Sequence, residues 1–194
     1  MARRKGSIYE LRIDLLDVQP KVWRRFRIDS MCSLSLVHLI IQHVMGWKNQ
    51  HLHVFQAAGK QYGPITPDGR ELWDDERRYH LKSIAAGVGQ EFSYVYDLGD
   101  HWAHRVIVEK ELERSRSLVH PKCIAGENAC PPEDCGGPSG YAKMKLILAN
   151  PSLNQHANIR QWVGDRFDPS EFDLRHQNLS MNFLRGTRVP NWAR

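Results

Sequence analysis

The sequence predicts an α+β fold, a single domain with a mainly antiparallel sheet packed against several helices. Period-two alternation comes in separate blocks near the start and middle of the chain. Helical spacing is confined to one early stretch and the last third. Strands and helices do not alternate in the manner of a parallel sheet. A chain of 194 residues is expected to form one compact domain with a buried core. The expected boundaries are a basic arm at 1–6, the domain at 7–184 and a basic tail at 185–194.

In "IYELRIDLLDV", Tyr9, Leu11, Ile13 and Leu15 face one way and Glu10, Arg12 and Asp14 the other, the pattern of a half-buried strand. "DVQPK" breaks it. "VWRRFRI" then sets Val22, Arg24, Phe26 and Ile28 against Trp23, Arg25 and Arg27, so the two segments read as an antiparallel pair. "SLSLVHLIIQHVMGW" changes to helical period, with Ser33 or Ser35 as N-cap and Gly46 as stop. "HLHVFQAAGKQYG" returns to alternation, with His51, His53 and Phe55 on one face. A polar loop with a turn at Pro67-Asp68-Gly69 follows, then a short helix in "HLKSIAAGVGQ". "EFSYVYDLGDHWAHRVIVEKELE" reads as two strands about a tight turn at Gly99. The segment 120–140, rich in Gly, Pro and Cys, reads as irregular. Helices are expected in "SGYAKMKLILAN", in "HANIRQWVGD" and from about Glu171 onward.

Hydrophobic residues make up 41% and charged residues 25%, ordinary for a globular protein. No apolar run approaches the roughly 18 residues of a membrane span, so no membrane partner is expected. "MARRKGSIYELRID" lacks the apolar region of a secretory signal, which predicts a cytoplasmic protein. A net charge of +5 permits nucleic-acid contact, yet the basic residues are scattered in small clusters. Arg24 and Arg25, among aromatic residues in "VWRRFR", are the candidate contacts.

The hairpin around Gly99 is the densest chemical cluster. A two-residue turn would place Asp97, Trp102 and His104 on one face; a three-residue turn would exchange the faces of one strand. An Asp beside a His suits general-base or metal-ligand work, with Trp102 as a pocket wall. Alternatively, Asp97 and Asp100 accept backbone N–H bonds in the turn, and Trp102 is core. Cys123, Cys130 and Cys135 are spaced x6 and x4, looser than the usual zinc pair, and His101, His104, His120 or a carboxylate would supply a fourth ligand. A Cys123–Cys130 disulfide or buried free thiols are the alternatives. Glu133 and Asp134 either bind a divalent cation through oxygen or cap the helix that follows. His51 and His53 form a possible ligand pair, with His53 the binding candidate.

These pieces, "YELRIDLLDVQPKVWRRFRI", "LSLVHLIIQHVMGW", "HLHVFQAAGKQYG", "YVYDLGDHWAHRVIVE", "CIAGENACPPEDCGGPSGY" and "FDPSEFDL", resemble the Ri-plasmid ORF-three-like family, whose members are often labelled TnpR-type passenger proteins of insertion elements. The likeness covers roughly residues 7–175. Its most specific parts are the hairpin and "ACPPEDCGG"; Leu98 stands where members often carry Phe. The resemblance implies a single α+β domain with an antiparallel sheet and supplies no reaction.

Two functions follow as expectations. One is a mobile-element-associated accessory or binding protein with nucleic acid or a protein partner. The other is a metal-dependent, hydrolytic enzyme using Asp97, Asp100, His104, Glu133 and Asp134 beside the cysteine loop, with zinc as a possible cofactor. Serine resolvases need a nucleophilic Ser near the start of an α/β catalytic domain and a terminal helix-turn-helix. Ser7 instead opens an antiparallel strand, and no such helix pair follows. Purified protein is therefore expected to show no strand transfer or resolution; activity that vanished in Ser7→Ala would overturn this.

Overall fold

The computed structural model describes residues 6–66, 72–115, 121–181 and 184. The Pro67-Asp68-Gly69 turn, His120, all but the last residue of the basic arm, and the tail from 185 lie outside the described residues. Among the described residues, strands β1 (Ile8–Leu15), β2 (Trp23–Asp29), β3 (His53–Ala57), β4 (Lys60–Gly63), β5 (Asp74–Asp75), β6 (Glu91–Tyr96), β7 (Trp102–Leu112) and β8 (Lys122–Glu127) form one sheet. Its order is β5-β4-β3-β6-β7-β1-β2-β8. Every pairing is antiparallel except β4 with β5. The helices among the described residues are α1 (Leu34–Met45), α2 (Leu81–Ile84), α3 (Gly137–Leu148), α4 (His156–Val163) and α5 (Leu174–Ser180), with a 3-10 turn at Glu76–Arg78.

The expected β1–β2 pair forms, with Leu11 opposite Phe26 and Arg12 opposite Arg25. Tyr9, Leu11, Ile13, Phe26 and Ile28 are fully buried under the helices. Helix α1 begins and ends where the sequence places it. The Ser33 hydroxyl accepts from the Leu36 N–H, and Gly46, at φ +98°, closes the helix by donating to the Gln42 carbonyl at 2.8 Å.

Two expectations are corrected. The segment 120–140 is not wholly irregular: residues 122–127 form edge strand β8 against β2. The pattern is obscured because Gly126 lies opposite Arg24, where a Cβ would meet Arg24 Cδ and the Phe172 ring at 2.8 Å. The hairpin turn is also longer than two residues. Tyr96 pairs with Trp102 and Tyr94 with His104, leaving Asp97–His101 as the connection. An odd-length connection exchanges the faces of one strand. Trp102 and His104 therefore join Tyr94 and Tyr96 in the core, at 0% exposure, and Asp97 leaves the ladder at φ +54°.

The opposite face of the sheet carries a charge ladder. Arg12 pairs with Asp14 (2.7 Å), Arg25 with Glu109 (2.5 Å), and both Arg27 (3.3 Å) and Lys110 (2.8 Å) with Glu10. The guanidinium of Arg12 sits 4.4 Å from the centre of the Trp23 ring.

Arg24 behaves differently from its neighbours. It is 1% exposed and donates only to main-chain carbonyls: Nε to Val44 (3.0 Å), Nη1 to Trp23 and Glu127 (2.8 Å each) and Nη2 to Asn128 (2.8 Å). Its guanidinium stacks 4.2 Å from the Phe172 ring centre. The Val44 carbonyl belongs to the negative end of α1, which favours a cation there. Burial lowers the Arg24 pKa, but a guanidinium remains charged. A nucleic-acid role for Arg24 is thus corrected: the side chain is inside. Arg24→Met should destabilise the protein by roughly 3 kcal/mol, because it orphans buried carbonyls. Arg25→Ala on the ladder should change stability by under about 1 kcal/mol. Chemical denaturation of both variants checks the contrast.

Candidate functional site

Two loops and the hairpin converge at one end of the sheet. The first loop, 46–52, leaves the end of α1, and the second, 128–136, leaves the end of β8. Each residue from 47 to 50 is tied down. Trp47 Nε1 donates to the Pro131 carbonyl (3.1 Å), and the Lys48 N–H to Glu133 Oε1 (2.8 Å). The Asn49 N–H donates to Gln42 Oε1 (2.9 Å), and the Gln50 N–H to the Tyr96 hydroxyl (2.9 Å). That hydroxyl in turn donates to the Glu133 carboxylate, 3.0 and 3.2 Å from its two oxygens.

These ties deliver His51 to three carboxylates. Its Nε2 lies 3.1 Å from Asp134 Oδ1, 3.7 Å from Asp97 Oδ2 and 3.8 Å from Glu133 Oε2. The β3–β6 register sets His53 opposite Tyr96, and the Asp97 N–H donates to the Leu52 carbonyl, so the two strand ends hold residues 51 and 97 side by side. Asp97 Oδ1 accepts from the Gly99 and Asp100 N–H groups at 2.9 and 3.2 Å, leaving Oδ2 to face the imidazole. Asp97 and Asp134 both hold left-handed φ angles, +54° and +57°. Such strain persists only where the surroundings over-determine it. His51 Nε2 is buried yet has no hydrogen-bond partner; it is aimed between the carboxylates and bonds to none of them. Asp97 and Glu133 are each 9% exposed at the side chain, whereas Asp134 is 66% exposed, so the group opens to solvent on one side.

Of the expected site residues, Asp97, Glu133 and Asp134 come together. Asp100 does not join them. Its Oδ2 accepts from the Gly136 N–H (3.1 Å) and clips the hairpin to the start of α3. Gly137 (φ +68°) passes so close beneath that a Cβ would lie 2.7 Å from the Asp100 carbonyl oxygen. His104 and Trp102 are corrected from site residues to core. His104 Nδ1 donates to the Tyr94 carbonyl (3.1 Å), and burial depresses its pKa to about 4. The cysteine ligand set is also corrected. All four thiols are free, Cys123 is a buried residue of β8, and among the described residues a metal-spaced group forms only at His51, Asp97 and Asp134. Burial pushes the Cys123 thiol up to about 11 and the Cys135 thiol up to about 12. Arg25 is engaged by Glu109, as above.

His51 and His53 part company despite their spacing. His53 turns inward, where Nε2 meets Glu76 Oε2 at 2.7 Å and the ring stacks on His38, centroids 3.4 Å apart and planes within 4°. His38 Nε2 lies 2.7 Å from Asn49 Oδ1, an atom that only accepts, so Nε2 carries the proton. Nδ1 then accepts from the Tyr94 hydroxyl (2.7 Å), which accepts from Gln42 Nε2 (3.1 Å). Burial holds His38 and His53 neutral, each at about 3, and lifts Glu76 to about 7. Glu76 gave no sequence signal, since one acid in "DDERR" looks like surface. His51 is distinguishable from His53 only once the Tyr96 register is known.

These histidines set the response to acid. Their folded pKa values are depressed, so the stability they confer is complete above about 6.5, the unfolded value, and drains as pH falls toward 4. Glu76 is raised and acts in the opposite sense, gaining stability as pH falls below about 7. Three depressed histidines outweigh one raised carboxyl. Unfolding free energy should fall between pH 6.5 and 4.5 by on the order of 2 kcal/mol per pH unit. Denaturant titrations across that range measure it, and a flat profile would contradict burial of neutral imidazoles.

Residues 7–176 match the family described as plasmid pRiA4b ORF-3-like protein. A relative from Sinorhizobium fredii, the uncharacterized protein y4hQ, is 34% identical over 97% of this chain and 96% of its own length. The crystal structure of a protein of unknown function, MM3350 from Methanosarcina mazei Go1, is similar with a TM-score of 0.79 at 32% identity, covering 88% of this chain and 97% of that one. No helix among the described residues is long and apolar enough to cross a membrane. By sequence match and by fold, the chain belongs to the plasmid pRiA4b ORF-3-like family.

Proposed function

We propose that this protein is a divalent-cation-dependent enzyme of hydrolytic type, with the cation held by His51, Asp97 and Asp134 and with Glu133 beside it. The observation that carries the reading is the orphaned His51 Nε2 among three carboxylates drawn from distant parts of the chain. Donors bound to one ion at about 2.1 Å stand roughly 3.0–3.8 Å from one another. From His51 Nε2, Asp134 at 3.1 Å and Asp97 at 3.7 Å fit that range, and the three ligand atoms all lie within 4.8 Å of one another. One imidazole with carboxylates is a mixed set that suits zinc or manganese better than calcium, which takes oxygen donors. The solvent-facing side at Asp134 leaves room for water. A cation held there would supply a Lewis acid and a water of lowered pKa for hydrolysis of an ester, in which the ester C–O or P–O bond breaks and the alcohol leaves, and Glu133 would take up the proton of the water and return it to the leaving alkoxide.

Less supports nucleic-acid binding through the sheet. Arg12, Arg25 and Arg27 each face a carboxylate, and Arg24 is buried. An accessory role tied to mobile elements, and the TnpR label, rest on the family resemblance alone.

Equilibrium dialysis of the chelator-stripped protein against Zn²⁺ and Mn²⁺ tests the cation. One ion per chain is expected, with affinity reduced at least tenfold by His51→Ala or Asp97→Asn and unchanged by Arg25→Ala. Binding that ignores His51→Ala would overturn the site. A panel of chromogenic carboxylic and phosphate esters tests the chemistry. Turnover should appear with the ion and vanish in His51→Ala; stoichiometric ion with no turnover on any ester would reduce the function to cation binding.

A further inference from the structure

A cavity adjoins the proposed cation site. It measures about 330 Å³ and lies between α1, the lead-in to β3 and the 3-10 turn. His51 lines it, so the cation group and the cavity share a wall. Leu39, Leu52, Pro64 and Ile65 form its sides, and Leu52 and Ile65 are left 39% and 59% exposed at the rim. The polar floor is the Glu76–His53 bond with His38 stacked behind it. A larger trough of about 860 Å³ around Gln56–Gln61 and Leu72–Asp74 includes neither a histidine nor Glu76.

Charge selects the guest. Among the described lining residues, the one permanent cation is Arg77, and Asp75 holds its guanidinium in a two-pronged pair, Nε to Oδ1 and Nη2 to Oδ2, both 2.9 Å. His38 and His53 lie ring on ring, centroids 3.4 Å apart, and His53 Nε2 is taken up by Glu76 at 2.7 Å. Two ionisable groups remain: His51, whose Nε2 faces the carboxylates of Asp97, Glu133 and Asp134, and the Glu76 carboxyl, 5% exposed. An anion entering here would meet no free positive charge and would approach Asp97 and Asp134 across His51. An ammonium would meet a buried carboxyl, and an apolar stem would cover the leucines and isoleucine at the rim.

We propose that this cavity binds a small organic amine, with the ammonium at Glu76 and the stem between Leu39, Leu52 and Ile65. Its role as the substrate pocket rests on the cation reading above; its binding of an amine does not. Glu76 titrates near neutrality, so an ammonium can hold it as the carboxylate by displacing one proton to solvent. Asp75, Arg77 and the neutral His38 and His53 are the other titratable or charged groups facing it.

The probes are n-pentylamine, pentanoate and 1-pentanol, titrated at pH 8 into ¹⁵N-labelled, metal-free protein and followed by amide shifts. Saturable shifts at Leu39 and Leu52 are expected with n-pentylamine and at least tenfold weaker binding with the other two. Glu76→Gln, nearly isosteric, should weaken n-pentylamine at least tenfold, and Leu39→Trp, which fills the cavity, should abolish it. Equal or tighter binding of pentanoate or pentanol, no saturable binding of n-pentylamine, or full affinity in Glu76→Gln would overturn the proposal. Mn²⁺ dialysis on the same variants keeps the two claims apart. Glu76→Gln and Leu39→Trp should leave Mn²⁺ affinity unchanged, and His51→Ala should remove Mn²⁺ binding while keeping the amine shifts. In the unsubstituted protein, Mn²⁺ binding without saturable n-pentylamine binding sinks this proposal alone, and n-pentylamine binding without Mn²⁺ binding sinks the cation reading alone.

Discussion

The buried guanidinium of Arg24 is the knot on which the working end of the molecule depends. It joins the last turn of α1, through the Val44 carbonyl, to the end of β8, through Glu127 and Asn128. The two loops that build the candidate site start at these points: one leaves α1 at Gly46, the other leaves β8 at Asn128. Five N–H donors in a rigid plane can satisfy carbonyls from separate elements at once, which no neutral side chain can do. Most basic residues on the sheet have acids as partners. Arg24 has carbonyls and the negative end of a helix, so its charge is compensated by backbone dipoles.

Beyond the knot, the loops are closed onto each other by contacts between unlike partners. Trp47 gives its N–H to a carbonyl after Cys130, and Glu133 gives one carboxylate both to the Lys48 N–H and to the Tyr96 hydroxyl. Satisfied carboxylates of this kind rigidify. Against that background, His51 Nε2 stands out as a buried nitrogen without a bond, and Asp97 and Asp134 as left-handed residues. Trp102 Nε1 and His104 Nε2 are also buried without a partner, but they lie in the apolar core, whereas His51 Nε2 faces three carboxylates.

The two polar clusters are neighbours with opposite character. Around His51 the carboxylates are several and face outward to water through Asp134. Around His53 one carboxyl is enclosed with two neutral rings. The Tyr94 and Tyr96 hydroxyls separate them: the first serves His38 and Gln42, the second Glu133 and Gln50. Alternate residues on one strand thus feed two networks.

The sequence by itself determined the α+β class, the β1–β2 pair with its faces, the caps of α1, and the interest of Asp97, Glu133 and Asp134. Each of these rests on a local rule: side-chain period, capping chemistry, or acids in a turn. What the tertiary structure decided was non-local. The length of the 97–101 connection set which face Trp102 and His104 took, and one residue more in a turn reverses a strand. Alternation already set Arg24 and Arg25 on opposite faces of β2, but that the first would meet carbonyls of α1 and of the end of β8 was decided by packing. His51 and His53 look like a pair, yet the β3–β6 register sent one to carboxylates from residues 97 and 134 and the other to Glu76. Ligand groups are spatial objects, and a chain records only the spacing along itself, so their membership was settled by pairing and loop closure.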